Sequence, residues 1–323
     1  MRPAAQDASD NKEKEPRRMT QDDVKQASVG VIGLGAMGFG MAATLAQAGF
    51  AVTGYDLDPA KASAAQEAGF AFAKEPEAAL ATATHIVFSL PTAQDVAGIV
   101  EAHANAIGRH AAGRVVVIDT STSEPDVSRA LAARLDTLGH GFLDAPVSGG
   151  PAGAANGQLT MMIGGDEGDL ALARPVVEAM AAKILHVGPS GAGNVAKLVN
   201  NLLVAAHMLT TREALSLAAG AGVDPQSVLR VLNAATGRSA LSEVHFPNWV
   251  MSGRFDSGFS MGLMRKDVRL AGEMADAFDV DLPLCNQVRT LWAESAERLS
   301  DRDDFTRMGD YQAAFPTARK EKA

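Results

Sequence analysis

The sequence predicts an α/β fold, in which a doubly wound, mostly parallel sheet is followed by an all-helical C-terminal domain. Up to about residue 187, short apolar runs alternate with helical patterns, and this alternation is typical of βαβ units. After the glycine-rich segment 188–193 the strand patterns stop, and long helical patterns replace them. We therefore predict two domains, 28–190 and 191–323, behind a leader at 1–27.

The segment 28–58 predicts a strand, a glycine-rich turn, a helix and a second strand in succession. Three glycines spaced G-x-G-x-x-G follow the first strand. The first permits a tight turn, the second lets the backbone approach a pyrophosphate, and the third allows close helix packing. A helix N-terminus also attracts anions, so the stretch predicts a dinucleotide site of the Rossmann type. Its residues are Gly33, Leu34, Gly35, Ala36, Met37 and Gly38.

Asp56 follows the second predicted strand and lies 18 residues beyond Gly38. A carboxylate about 20 residues past the glycines accepts hydrogen bonds from ribose hydroxyls and repels a 2′-phosphate. No arginine follows it, and we expect the nearby Lys61 to be solvated. Asp56 therefore predicts NAD as the cofactor and makes NADP the less favoured alternative.

The remaining elements of the first domain continue the alternation. Its further strands are predicted at 69–72, 85–90, 114–119, 142–144, 159–163 and 184–187, and its further helices at 59–68, 76–81, 92–101 and 124–138. The second domain is predicted as helices 194–219, 225–235, 262–278 and 284–299. We expect the leader to be disordered, because it mixes charges without apolar periodicity, and the tail from 310 to fray.

Composition excludes several classes of partner. The net charge of −9 disfavours a nucleic-acid surface, because Lys and Arg are scattered and form no basic stripe. Polar and charged residues interrupt the longest apolar stretch, 195–219, so no membrane span is expected. No metal-ligand spacing occurs, and a single cysteine, Cys285, suits a reducing compartment, which predicts a cytoplasmic location.

Small polar residues follow three predicted strands, at the edge where open sheets bind their ligands. Backbone N–H groups of a serine–glycine turn can hold a small carboxylate without a metal, so 148–150 predicts a substrate site. Ser121 and Thr122 have an alternative role, since either can cap the helix that begins near Glu124. The candidate ligand residues at these three strand ends are Leu90, Pro91, Thr122, Ser148, Gly149 and Gly150.

Lys197 and Asn201 lie four residues apart and share one face of the long predicted helix. A buried lysine has a depressed pKa, and an adjacent oxidised nicotinamide depresses it further, so Lys197 suits proton exchange near neutral pH. The alternative is a lysine that reaches solvent near a helix start, with Asn201 also exposed. From the pattern alone, Lys266 and Asp267 are interpreted as a solvated pair at the start of a later helix.

Five motifs between about residues 29 and 271 resemble, in matching order, those of the β-hydroxyacid dehydrogenase family. The five are VGVIGLGAMGFGMA, DTSTSEPDV, FLDAPVSGGPAGAANGQLTMMIGG, GAGNVAKLVNN and LMRKDVRLA. The resemblance implies a Rossmann-type domain and an all-helical domain that forms homodimers or homotetramers, with the active site in the cleft between the domains. The related 6-phosphogluconate dehydrogenases carry a histidine in the lysine motif, and this chain has no histidine there.

The resemblance also implies a role for each matching position. Lys197 would be the catalytic acid/base, and Asn201 would position the substrate and orient the lysine. Residues 148–150 would bind the substrate carboxylate. Thr122 would contact the cofactor or the substrate, and Lys266 would close over the cofactor.

The implied activity is NAD-dependent interconversion of a small 3-hydroxy acid and its semialdehyde. The segment GFSMGLMRKD most resembles the 3-hydroxyisobutyrate branch, so substrates of that kind are favoured. Reduction of tartronate semialdehyde or of another small semialdehyde is the first alternative. An NAD-binding interaction protein without turnover is the second, which the presence of Lys197 and the 148–150 turn disfavours.

Overall fold

The computed structural model describes residues 27–111 and 113–313. Within them, one mixed sheet of nine strands occupies the chain up to Gly188, and helices follow. The leader and tail predictions for 1–26 and 314–323 lie outside the described residues. The strands are β1 (Ser28–Ile32), β2 (Ala51–Tyr55), β3 (Ala71–Phe72), β4 (His85–Phe88), β5 (Val116–Asp119), β6 (Gly141–Asp144), β7 (Val147–Ser148), β8 (Leu159–Gly165) and β9 (Ala181–Gly188).

The first six strands are parallel and lie in the order β3-β2-β1-β4-β5-β6. The chain therefore reverses its direction of winding between β1 and β4, and the carboxyl ends of these strands meet at a topological switch point. Strand β8 then runs antiparallel to β6 and β7 and parallel to β9. The predicted doubly wound, mostly parallel sheet with a helical C-terminal region is confirmed.

Eleven α-helices accompany the sheet in the described part of the chain. They are α1 (Ala36–Gln47), α2 (Lys61–Glu67), α3 (Pro76–Leu80), α4 (Ala93–His103), α5 (Pro125–Thr137), α6 (Gly150–Ala155), α7 (Glu167–Met180), α8 (Ala192–Gly220), α9 (Pro225–Ala234), α10 (Met261–Ala277) and α11 (Pro283–Glu294). A π-helix, Leu241–Val250, and two 3₁₀ turns, Ser295–Glu297 and Phe305–Gly309, complete the helical region.

The sequence patterns did not predict helix α7. Pro175 lies inside it and Gly168 in its first turn, and both residues weaken a helical pattern. The side chain of Asp166 offsets this by accepting hydrogen bonds from the backbone N–H groups of Gly168 and Asp169. The buried face of α7, which includes Val176, then packs against the sheet.

Three apolar clusters form the core. Two of them cover opposite faces of the sheet, and both include residues of the central strands, such as Val87 on one face and Ile86 on the other. The third cluster lies in the helical region around Trp292, which is fully buried and donates from Nε1 to the backbone oxygen of Ala205 at 3.3 Å. Strands β4 and β5 are buried along their whole length, as a sheet covered on both faces requires.

Arg212 of helix α8 bonds the last 3₁₀ turn and the segment that follows it. The Arg212 guanidinium is buried and donates to the backbone oxygens of Met308 at 3.3 Å and Ala313 at 2.9 Å. These bonds connect the segment 308–313 to helix α8, and the fraying of the tail from residue 310 stays a prediction. Among residues 27–111 and 113–313, no helix combines the length and the apolar character that crossing a membrane requires.

Two carboxylates are buried side by side at the ends of β5 and β6, where Asp119 and Asp144 are register partners. Asp119 Oδ1 accepts from the backbone N–H of Ser121 at 2.9 Å, while its Oδ2 has no hydrogen-bond partner among the described residues. Burial, and to a smaller extent the charge of Asp144, raise the pKa of Asp119 to about 6, against hydrogen bonds from Ser121 and the positive charge of Lys266.

The raised pKa of Asp119 makes folding stability pH-dependent. Protonation of this carboxyl favours the folded state, and the gain is fully present below pH 3.8 and lost as the pH rises through about 6. Asp119→Asn, which imitates the protonated acid, should raise the free energy of unfolding above pH 7 by at most about 3 kcal/mol. Denaturant unfolding from pH 4 to 8 measures this, and a variant equally destabilised at every pH would contradict it.

Candidate active site

The glycine-rich loop follows β1 and begins at Gly33, whose φ of +90° permits the turn. A Cβ on Gly33 would clash with the backbone oxygen of Ser89, and one on Gly38 would clash with the oxygen of Gly33. The close backbone packing therefore requires glycine at both positions. Gly35 is different, because a Cβ there would meet only open space. Gly35 precedes the first residue of α1 and is exposed with Ala36, so the first N–H groups of this helix face open space. This cradle fits the pyrophosphate of a dinucleotide.

Asp56 at the end of β2 is largely occupied by protein donors. Its Oδ2 accepts from the backbone N–H of Leu34 and from Lys61 Nζ, both at 2.7 Å, and its Oδ1 accepts from the N–H of Asp58 at 2.9 Å. Burial opposes ionisation, but the hydrogen bonds from Lys61 and the two N–H groups lower the pKa of Asp56. The expectation that Lys61 is solvated is therefore wrong, because Lys61 forms an ion pair with Asp56, the residue that we predict to bind the ribose.

The loops after β4 and β5 are joined to each other and to helix α10. The backbone N–H of Leu90 donates to Ser121 Oγ at 3.1 Å. Lys266 Nζ reaches across from α10 and donates to the backbone oxygens of Thr122 at 2.8 Å and Pro91 at 3.4 Å. Helix α5 begins after Glu124 without a side-chain cap, so Ser121 and Thr122 do not have the alternative capping role.

Lys197 of helix α8 is buried, with 7% of its surface exposed, and its Nζ donates to the backbone oxygen of Val147 at 2.7 Å. Burial lowers the pKa of this amine, the negative charge of Asp267 opposes the shift, and Lys266 adds to it. The alternative of a lysine that reaches solvent is therefore wrong. A primary amine in this environment can lose and regain a proton closer to neutral pH than an exposed lysine can.

Asn201 lies one turn after Lys197 and is also buried, and its Nδ2 donates to Asp267 Oδ2 at 2.6 Å. Asp267 is only 1% exposed, so the expectation of a solvated Lys266–Asp267 pair is wrong. Burial raises the pKa of Asp267, while Lys266 and Lys197 lower it. Its Oδ1 lies 3.5 Å from Lys266 Nζ. Asp267 thus links the two lysines and Asn201 in one buried electrostatic group.

The predicted carboxylate turn starts on β7 and ends in a helix. Ser148 closes β7, which pairs with β8. Gly149 and Gly150 have φ values of +127° and +63°, as a tight change of direction requires. Gly150 is also the first residue of α6, so the predicted turn connects a strand to a helix. Helix α6 packs against α1, where the Thr44 hydroxyl donates to the backbone oxygen of Ala154 at 2.8 Å.

These contacts bring most of the predicted residues into one continuous site. Lys197 touches the 147–150 segment, Lys266 touches the loops of Thr122 and Pro91, and a Cβ on Gly33 would lie 2.8 Å from the Leu90 side chain. Asp56 lies at the opposite end of the site, directly after β2. The sequence patterns did not predict Asp267, the neighbour of Lys266, or Asp144 as residues of the site. For Asp144 a usable signal existed, because it is an acid at the end of a predicted strand.

Comparison with known proteins agrees with this architecture. Residues 28–188 match the family described as the NAD binding domain of 6-phosphogluconate dehydrogenase. Residues 191–311 match the family described as NAD-binding of NADP-dependent 3-hydroxyisobutyrate dehydrogenase.

Individual relatives span most of the chain. The mitochondrial 3-hydroxyisobutyrate dehydrogenase of Mus musculus is 33% identical over 289 residues, 88% of this chain and 86% of that protein. The 2-(hydroxymethyl)glutarate dehydrogenase of Eubacterium barkeri is 37% identical over 261 residues, 80% of this chain and 86% of that protein. The solved Mycobacterium tuberculosis 3-hydroxyisobutyrate dehydrogenase with L-serine is 36% identical, has a TM-score of 0.79, and is matched over 86% of this chain and 96% of its own. The chain therefore belongs to the β-hydroxyacid dehydrogenase family, as a dehydrogenase of the 3-hydroxyisobutyrate dehydrogenase type.

Proposed function

We propose that this enzyme interconverts a small 3-hydroxy acid and its semialdehyde with NAD as the cofactor, and that Lys197 is the acid/base. One observation carries the proposal: the Lys197 amine is buried and bonded to Val147, next to the 148–150 turn. The proposed base therefore bonds the residue that precedes the proposed carboxylate site, and a substrate whose hydroxyl lies close to its carboxylate needs the two sites near each other.

The proposed oxidation divides the hydrogen atoms of the alcohol between cofactor and protein. The bound nicotinamide supplies the hydride acceptor. Lys197, as the neutral amine, takes the hydroxyl proton, and in the reverse direction its ammonium returns that proton to the aldehyde oxygen. The lowered pKa of Lys197 supports this role, because it increases the fraction of neutral amine near neutral pH. Asn201 lies on the same face of α8 as Lys197, and Asp267 holds its amide there.

The proposed substrate class follows from the chemistry that the relatives share. The names of the relatives include 3-hydroxyisobutyrate, 2-(hydroxymethyl)glutarate and L-serine. Each of these acids carries a CH₂OH group on the carbon beside a carboxylate. Ser148, Gly149 and Gly150 are the residues that we assign to that carboxylate, and Thr122 to the side of the nicotinamide. The resemblance of GFSMGLMRKD favours a 3-hydroxyisobutyrate-like substrate over tartronate semialdehyde.

The proposed NAD preference depends on Asp56. Its carboxylate is ionised and lies at the end of β2, where ribose hydroxyls are bound in this fold. The ion pair with Lys61 weakens its repulsion of a 2′-phosphate, and one matching family is described as NADP-dependent. We also propose the division into domains 28–190 and 191–323, with the helical domain forming the homodimer or homotetramer contact.

Replacing Lys197 tests the acid/base role. Lys197→Ala should lower kcat on 3-hydroxyisobutyrate by roughly 10²–10⁴-fold, because the proton then has no positioned acceptor. NADH affinity, measured by fluorescence titration, should stay within about twofold. Lys183→Ala, which removes an exposed lysine on β9, is the matched control and should leave kcat unchanged. Wild-type turnover by Lys197→Ala would exclude the role.

Replacing Asp56 tests the cofactor preference. Asp56→Asn removes the charge that repels a 2′-phosphate, so the ratio of kcat/KM for NAD over NADP should fall about tenfold or more. Binding of NADH and NADPH, measured by calorimetry, should change in the same direction. A wild-type enzyme that binds NADP more tightly than NAD would show that Asp56 does not set the preference.

A further inference from the structure

The segment 144–150 contacts helix α8 at two separate points. Asp144 Oδ1 accepts from the backbone N–H of Gly191 at 2.7 Å, and its Oδ2 accepts from that of Asn194 at 2.9 Å. Three residues further along the chain on both sides, Val147 accepts from Lys197. The strand end and the helix start are thus joined by an ordered pair of contacts, and the second contact involves the acid/base itself.

Asp144 performs a capping role that helix α8 cannot supply locally. Gly191, the residue before α8, has a φ of +90° and no side chain with which to cap the helix. The first N–H groups of a helix have no partner within it, and a negative charge near them is favourable. Asp144 supplies both the acceptors and the charge from 47 residues earlier in the chain.

The fit around Asp144 leaves it little freedom. The residue is completely buried. A Cβ on Gly193 would lie 2.5 Å from the backbone oxygen of Asp144, and one on Gly164 would lie 2.6 Å from its Oδ1. Both positions therefore require glycine, and the carboxylate cannot shift without moving the helix or β8.

Asn194 extends the same junction to the loop after β5. Its Oδ1 accepts from the backbone N–H of Ser123 at 2.9 Å, and its Nδ2 donates to Ser128 Oγ at 3.0 Å. Asp144 holds the backbone of Asn194, so the start of α8 is also fixed relative to the loop that carries Thr122.

We propose that Asp144 is a positioning residue, which caps helix α8 and thereby sets the placement of Lys197 relative to the 148–150 turn. The inference rests on the proposed role of Lys197. Asp144 does not touch the reacting atoms; it acts through the first turn of α8. Displacing that turn would separate Lys197 from Val147 and from the substrate carboxylate at the same time.

Asp144→Asn tests this role, because the amide retains only one acceptor oxygen for two N–H groups. We expect kcat to fall about 10- to 100-fold, the effect of a displacement of about 1 Å, while the affinity for NADH stays within about threefold. Loss of the Val147 acceptor should also lower the pKa of Lys197, so the midpoint of the pH profile of kcat should move to lower pH.

Asp169→Asn is the matched control, since Asp169 is also buried but pairs with Arg114 at 2.7 Å, away from α8. It should leave kcat and the pH midpoint unchanged. Hydrogen exchange should rise at the start of α8 in Asp144→Asn and not in Asp169→Asn. If Asp144→Asn does not fold, Asp144→Ser, which fits within the same space and also lacks the second carboxylate oxygen, should give the same kcat loss.

Unchanged kcat and pH midpoint in a folded Asp144 variant would overturn the positioning role. A loss of kcat matched by an equal loss of NADH binding would also overturn it, because that result indicates general damage. Wild-type turnover by Lys197→Ala is a separate outcome, because it would overturn the proposed acid/base role of Lys197. In that case hydrogen exchange in Asp144→Asn would still show whether Asp144 caps helix α8.

Discussion

The burial of one amine, that of Lys197, is the constraint to which the rest of the site responds. Removing a charged amine from water is costly, so the ammonium form persists only with compensating groups. Val147 supplies an acceptor at 2.7 Å, and Asp267 supplies a negative charge that acts through the surrounding low dielectric. The balance leaves the pKa of Lys197 below its ordinary value, and this makes the amine chemically useful.

The fold assembles this environment from distant parts of the chain. The doubly wound sheet brings the ends of β1, β4 and β5 to one edge, and the return of the chain through β7 adds the 148–150 turn. Helix α8 packs against β8 and β9, and α10 packs on α8, from where Lys266 bonds the loop of Thr122. Three buried carboxylates, Asp119, Asp144 and Asp267, lie within this arrangement, each with a raised pKa.

Local features of the chain were sufficient to predict the glycine-rich loop and Asp56, because turn geometry and strand ends have sequence signatures. The shared face of Lys197 and Asn201 followed from helical spacing alone. The ion pair of Lys61 could not be predicted in this way, because it depends on how helix α2 is placed relative to the end of β2. The burial of Asp267 depends on packing between α10 and α8, which spacing within one helix does not contain.

The ionisation of Lys197 is the most direct test of the central claim that burial makes this amine an acid/base. NMR titration of protein labelled at lysine ¹³Cε can follow it, with the Lys197 signal identified by its absence in Lys197→Met. We predict a midpoint below the ordinary value of 10.5, and a downward shift relative to exposed lysines in the same spectrum. A Lys197 midpoint at or above 10.5 would contradict the account.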